Sequence, residues 1–173
     1  MARSHRLVES SFVVVALALM ANWVFLVAVA IGLTLSFVFA TDFAAMLARS
    51  RPMADLPSLM LGLRWLMVGG IVMALAIVRL LGSLANIIGS VADGDPFIAA
   101  NARRLQMIGW ALIVLQLLDI ASILLDRRFP SLGSAAPNGD VSIGGWMAVL
   151  MAFVLSRVFA ASSAMRDDLE GTV

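Results

Sequence analysis

Four long apolar segments constrain the fold of this chain more than any other feature. Each is long enough for an α-helix to cross the hydrocarbon core of a bilayer, which is roughly 30 Å thick and needs about 20 residues. In that core a helix satisfies its own backbone N–H and C=O groups, whereas a lipid-exposed irregular segment does not. The sequence therefore predicts an all-α integral membrane protein, a four-helix bundle built as one transmembrane domain over residues 1–173. The predicted spans are residues 11–40, 59–81, 105–125 and 143–165.

The composition agrees with a membrane protein and excludes several kinds of site. Hydrophobic residues make up 62% of the chain and charged residues only 13%, whereas a soluble domain is about half apolar and a quarter charged. The absence of cysteine excludes disulfides, thiolate metal sites and cysteine nucleophiles. A formal net charge of +1 gives no basis for direct binding to nucleic acid.

The sequence contains no recognisable catalytic motif. Metal-ligand spacings, phosphate-binding loops, a GxSxG motif and a dinucleotide fingerprint are all missing. Asp119 is the only acidic residue well inside a span, whereas an intramembrane enzyme needs an acid pair or a nucleophile set at one depth. We therefore expect no enzyme activity, no catalytic residues, no metal site and no cofactor.

A short polar stretch, residues 92–97, separates the second and third spans. Gly94 lies where a helix C-cap with positive φ is favoured, and Asp95 followed by Pro96 favours the start of a new helix. We therefore expect the second helix to continue to residue 92 and the third to begin at residue 96. Because the flanking residues are amphipathic or charged, helices 2 and 3 are expected to form a hairpin that overhangs into the cytoplasm, with Arg104 about 12 Å from its tip.

The other two connections are predicted to be loops. Residues 41–58 form a polar stretch with two prolines, and residues 126–142 contain two prolines and an Asn138-Gly139 turn signal. Basic residues precede the first span, as they do in a secretory signal. However, the apolar run lasts about 30 residues, against roughly 7–15 in a signal peptide, so we expect a retained helix.

Several polar residues fall inside the predicted spans. Counted from the Gly94 turn, Arg79 lies about 22 Å and Asp119 about 35 Å along its helix, and their side chains lean toward each other. A lone charge at the membrane centre costs about 2.5–3.5 kcal/mol, so partners are expected. Three interpretations stay open: a signal or ion site, hydrogen bonds between helices, or arginines that snorkel separately. The predicted intramembrane polar cluster consists of Asn22, Arg79, Gln116, Asp119 and Arg157.

Small residues recur at every fourth position of the fourth span. Such a ridge lets another helix backbone approach closely. The partner is either another helix of the same bundle or a second copy of the chain, which would make a homo-oligomer. The predicted helix-packing ridge consists of Gly144, Ala148, Ala152, Ser156, Ala160 and Ala164.

The hairpin sequence resembles a known bacterial family. Gly94-Asp95-Pro96-Phe97 is followed by Asn101, Arg104-Leu105 and Ile108-Gly109-Trp110. This is similar to the pattern Gly-x-Pro-Phe, Asn and Leu-Arg-x-Ile-Gly of domain-of-unknown-function family 2975, which comprises small four-helix membrane proteins. The resemblance covers essentially the whole chain, including an acidic end at residues 165–170, although Gln106 stands where the family often has a basic residue.

The resemblance also implies a partner and a location. Family members are commonly encoded beside a small XRE-type helix-turn-helix regulator, which implies a membrane partner for a DNA-binding protein. We expect a multi-pass protein of the bacterial cytoplasmic (inner) membrane with both termini cytoplasmic. In that orientation seven arginines lie inside and five outside, as the positive-inside rule favours.

Three functions follow as hypotheses. The first is a membrane-embedded regulatory interaction protein that binds and controls a cytoplasmic XRE-type regulator through the hairpin tip. The alternatives are a small transporter or channel subunit that uses the polar cluster, and a membrane assembly subunit that binds through the small-residue ridge. The predicted tip contacts are Gly94, Asp95, Pro96, Phe97, Ile98, Asn101 and Arg104. In the alternative interpretation, Gly94 to Pro96 only cap helices and Phe97 packs on Val91.

Overall fold

The computed structural model describes residues 2–50, 55–95, 97–135 and 139–170, with side chains over 11–50, 55–95, 97–133 and 139–166. Within these ranges the chain is helical and contains no strand, which confirms the predicted all-α class. The five α-helices are α1 (Ala2–Val38), α2 (Ala40–Ser50), α3 (Leu56–Ala92), α4 (Ala99–Arg128) and α5 (Ile143–Glu170), and a 3₁₀ segment covers Pro130–Ala135.

Four of the helices are long and apolar enough to cross a membrane. Few of their residues are fully covered by protein: buried residues make up 6% of the most apolar stretch of α1 and 17% of those of α3 and α4. Side chains such as Val24 and Ile143 are 71% and 78% exposed, as expected of residues that face lipid. The chain is therefore a multi-pass helical membrane protein. The candidate spans are Ser11–Val38, Leu56–Ala92, Ala99–Arg128 and Ile143–Arg166.

Helix α2 corrects our prediction of a polar loop over residues 41–58. Asp42 lies in its first turn and Arg49 in its last, where each charge interacts favourably with the helix dipole. Phe43 and Leu47 are one turn apart and give α2 an apolar face. We had treated the polar residues as a loop signal, whereas burial of this face stabilises a helix. The second predicted loop, residues 126–142, is also partly helical, since α4 continues to Arg128.

The chain divides into two compact units. One contains Met1–Asn22, Ala76–Val114 and Ser142–Val173, and the other contains Trp23–Leu75 and Leu115–Val141. Helices α3 and α4 contribute to both. The second unit has its own apolar core around the buried side chains of Leu47, Leu59, Phe129 and Leu132, against which residues such as Phe43 and Leu125 pack.

The core of the second unit gives a direct test of the fold. Leu59 is 1% exposed, whereas Leu61, on the same helix, is 48% exposed. We expect Leu59→Ala to lower the free energy of unfolding by about 2–5 kcal/mol, because it removes buried methyl groups and leaves a cavity. Thermal unfolding in detergent micelles, followed by the fluorescence of the four tryptophans, measures the effect. Leu61→Ala is the matched control, and equal losses for the two variants would contradict the described core.

Candidate functional site at the turn between α3 and α4

A Schellman motif closes the end of α3. Gly94 has a φ of 82°, in the left-handed region that favours glycine. Its N–H donates to the carbonyl of Val91 at 3.1 Å, and the N–H of Asp95 donates to the carbonyl of Ser90 at 3.0 Å. These are the two hydrogen bonds of a Schellman cap. The predicted glycine C-cap is therefore confirmed, and the chain reverses direction with its last helical carbonyls satisfied.

Asp95 does not start the next helix as we predicted. Helix α4 begins at Ala99, and Pro96 lies outside the described residues. The Asp95 carboxylate instead accepts a hydrogen bond from the Arg166 guanidinium of α5, with 2.5 Å between the nitrogen and the oxygen. Both side chains are about half exposed, so solvent screens the ion pair and its contribution to stability is at most about 1 kcal/mol. Its main effect is to hold the end of α5 beside the turn.

A buried hydrogen-bond network joins α3 to α4 directly below the turn. Asn101 is 0% exposed, and its side-chain amide donates to the Ser90 hydroxyl at 2.6 Å. The Asn101 side-chain carbonyl accepts from the Arg104 guanidinium at 2.7 Å. Arg104 also donates to the backbone carbonyl of Asn86 at 3.0 Å, and Ser90 donates to that of Ile87 at 2.7 Å. The Ser90–Asn101–Arg104 network thus fixes the two helices against each other.

Two of the predicted tip contacts therefore have internal roles. Asn101 is inaccessible, which corrects our expectation that it touches a partner, and the Arg104 guanidinium is engaged within the hairpin. Ile98 is half-buried, and its carbonyl accepts the N–H of Asn101 at the start of α4. We misjudged Asn101 because a polar residue one turn from a helix end usually lies on the surface.

The exposed part of the turn is apolar. Phe97 and Val91 have 47% and 46% of their surface exposed. The Phe97 ring packs on Phe159 of α5, with 5.2 Å between ring centroids. Asp93 and Gly94 are exposed beside them. We call Val91, Asp93 and Phe97 the turn surface; the sequence suggests Val91 only as a packing site for Phe97, on the apolar face of the amphipathic end of α3.

Helices α4 and α5 pack antiparallel in this unit. Asp95 and Phe97 contact Arg166 and Phe159, and further along α4 the Trp110 ring meets Phe153 edge-on at 5.6 Å. Gly109 allows this approach, because a Cβ atom there would lie only 2.9 Å from the Phe153 ring.

A cavity of about 650 Å³ lies between α4 and α5 in the same stretch. Arg103 and Arg157 both line it, so Arg157, which we assigned to the intramembrane polar cluster, is beside Arg103. The other lining residues are small or weakly polar, apart from one aromatic ring. They are Ala99, Ala102, Gln106, Phe153, Ser156, Ala160, Ser163 and Ala164.

The predicted polar cluster divides between the two compact units. Asn22, Arg79 and Arg157 belong to one, and Gln116 and Asp119 to the other. Asn22 and Gln116 are 9% and 7% exposed and both are engaged in polar contacts, whereas the Arg79 side chain is exposed. The pairing of Arg79 with Asp119 stays a prediction.

Arg64 makes an interaction that we did not anticipate. Its guanidinium donates to the Ser36 hydroxyl at 3.3 Å and to the Ser36 carbonyl, and lies 4.0 Å from the centre of the Phe37 ring. A cation–π contact combined with hydrogen bonds joins α1 to α3 in the second unit. Only the three-dimensional structure reveals this pairing, since the residues are 28 positions apart.

Part of the small-residue ridge of α5 is buried by packing within the protein. Ala152 and Ser156, at its centre, are 6% and 9% exposed. The ridge residues nearest the C-terminus of α5 line the cavity against α4. The ends of the ridge, Gly144, Ala148, Ala160 and Ala164, are exposed.

These features define a multi-pass helical membrane protein with a hydrogen-bonded, partly apolar turn between α3 and α4. A family model described as "Protein of unknown function (DUF2975)" matches residues 44–173, and the chain belongs to this family. The resemblance of the hairpin motif is thus confirmed, although the match begins within α2 and does not include α1. Comparisons with curated proteins and with solved structures return no match.

The Ser90–Asn101–Arg104 network predicts an unequal effect of two asparagine substitutions. Asn101→Ala removes one of the hydrogen-bond partners of the buried Ser90 hydroxyl and one of those of the Arg104 guanidinium, so we expect a loss of about 1–3 kcal/mol in unfolding free energy. Asn86→Ala is the matched control, because this exposed residue contributes only its backbone carbonyl to the network. Thermal unfolding in micelles measures both variants. If Asn101→Ala were no less stable than Asn86→Ala, the network would not be stabilising.

Proposed function

We propose that this protein is a membrane-embedded regulatory interaction protein, whose turn surface binds and controls a small cytoplasmic helix-turn-helix regulator of the XRE type. The observation that carries the proposal is the exposure of Val91 and Phe97, at 46% and 47%, on a turn closed by its own hydrogen bonds. Exposed apolar residues on a polar, ordered surface are typical of protein-binding sites, and aromatic side chains dominate their binding energy.

The rigidity of the turn supports a role in binding. The Schellman motif, the buried Asn101 amide and the ion pair between Asp95 and Arg166 all restrict its conformation. A surface that is already ordered loses little conformational entropy when a partner docks, so more of the contact energy becomes affinity.

The charge of the turn surface suits a DNA-binding partner. Asp93 is exposed, and it lies in the chain between Val91 and Phe97. Regulators that bind DNA carry basic surfaces that neutralise phosphates. A regulator whose basic face contacts Asp93 while an apolar side chain packs on Phe97 would be held away from its operator, and this chain would itself make no contact with nucleic acid.

The proposal includes an orientation: the turn surface and both termini face the cytoplasm of a bacterium, in its cytoplasmic membrane. It is supported by the arginines that cluster near the turn, Arg103, Arg104 and Arg166, since basic residues are retained on the cytoplasmic side.

Binding of the regulator tests the turn surface directly. The regulator encoded next to this protein should copurify with it, and Phe97→Ala should weaken binding at least about tenfold, since truncation of a central aromatic residue removes a large part of the contact energy. Phe39→Ala is the matched control, because Phe39 is an exposed phenylalanine (52%) at the junction of α1 and α2. Microscale thermophoresis in micelles gives the dissociation constants. Equal affinities for the two variants would remove the turn surface from the interface.

The absence of cysteine makes the orientation testable with single introduced cysteines. We expect Asp93→Cys, on the turn surface, to react with a membrane-impermeant maleimide only after spheroplasts are lysed. Asp140→Cys, an exposed position just before α5, should react in intact spheroplasts. The reverse labelling pattern would place the turn surface outside the cell, where a cytoplasmic regulator could not reach it.

A further inference from the structure

The cavity between α4 and α5 has the charge of an anion-binding site. Among the side chains that the structure describes, two guanidinium groups line it, Arg103 from α4 and Arg157 from α5, and no carboxylate does. Within the described part of the chain, neither guanidinium has a hydrogen-bond or ion-pair partner, whereas Arg64, Arg104 and Arg166 all have one. Two unpaired positive charges beside one cavity raise its affinity for an anion.

The helix contacts bring these two arginines to the same height. Along α4, Arg103 lies between Phe97 and the Gly109–Trp110 pair; along α5, Arg157 lies between Phe159 and Phe153. Since the helices run antiparallel, contacts on both sides of the arginines fix them side by side.

The height of the cavity corresponds to the headgroup region of a bilayer. Arg103 lies in the second turn of α4, about 6 Å from the start of the helix at Ala99 at 1.5 Å per residue, and an uninterrupted apolar stretch follows Gln106. Trp110 is 57% exposed about two turns after Arg103, at a level where indole side chains favour the membrane interface.

The shape and lining of the cavity suit a phospholipid. Its volume of about 650 Å³ is within the range of small-molecule sites, and its walls combine the two arginines, the Gln106 amide and the Ser156 hydroxyl with alanines and Phe153. Guanidinium groups bind phosphate oxygens in a bidentate manner, and the apolar wall provides a surface for the glycerol backbone and acyl chains. Basic pockets between transmembrane helices bind anionic headgroups in this way.

We propose that Arg103 and Arg157 bind the phosphate of an anionic phospholipid in the cavity between α4 and α5. This site does not depend on the proposed regulator. The chemistry it recognises is a phosphate group, which a membrane lipid or a soluble phosphate compound can supply; its height in the membrane and its apolar wall favour the lipid.

Native mass spectrometry of the full-length protein in a neutral detergent tests the site. Phosphatidylglycerol is the probe, phosphatidylcholine is the zwitterionic comparison, and inorganic phosphate is the soluble competitor. We expect phosphatidylglycerol to bind more tightly than phosphatidylcholine, and Arg103→Gln and Arg157→Gln each to weaken its binding about tenfold, since each removes a charge-assisted hydrogen bond to phosphate. Millimolar inorganic phosphate should not displace the lipid.

Two further variants keep the test decisive. Arg79→Gln removes an exposed arginine of the same compact unit that does not line the cavity, and it should leave phosphatidylglycerol binding unchanged. Arg157→Lys keeps the charge and should retain more affinity than Arg157→Gln, which excludes a general loss of folding as the cause. Equal losses for Arg79→Gln and Arg157→Gln, or equal affinity for the two lipids, would overturn the proposal. Displacement by inorganic phosphate would overturn the assignment to a lipid.

Discussion

The rest of this structure depends on the need to satisfy backbone hydrogen bonds where water is absent. In the hydrocarbon core only continuous helices meet that need, so the backbone conformation of the spans can vary little. It can vary more at the helix ends, where four N–H or C=O groups lack intrahelical partners. The α3–α4 turn resolves one such end through Gly94 and uses Asn101 to join the helices just below it.

This solution produces an unusual distribution of polarity at the turn. The polar groups that would be expected to face water, the Asn101 amide and the Arg104 guanidinium, are engaged between the helices. The apolar side chains of Val91 and Phe97 are left outside. The network uses its polar atoms internally, and the surface that remains exposed at Val91 and Phe97 is the one that we propose for a protein partner. Stability and the proposed recognition therefore come from different residues of one short segment.

Several features that depend on local sequence patterns were predicted correctly. Features that depend on contacts between residues far apart in the chain were not. The length of the apolar segments located four spans, and the C-cap at Gly94 followed from cap preferences alone. Helix α2 was missed because its apolar face is stabilised by Phe129 and Leu132, which come some 80 residues later. The burial of Asn101 was missed because asparagine occurs both on the surface and in buried hydrogen-bond networks, and the sequence does not distinguish the two. The paired positions of Arg103 and Arg157 required the register of two helices, which no sequence pattern specifies.

The slight burial of α1 has an evolutionary consequence. Only 6% of the residues in the most apolar stretch of α1 are buried, so most of its side chains have surface that can face lipid, and lipid selects for hydrophobicity rather than for particular side chains. Many apolar sequences satisfy that demand equally well. Relatives should therefore drift furthest apart in this helix while keeping its length, and the family match, which begins at residue 44, excludes the segment that is least constrained in its side chains.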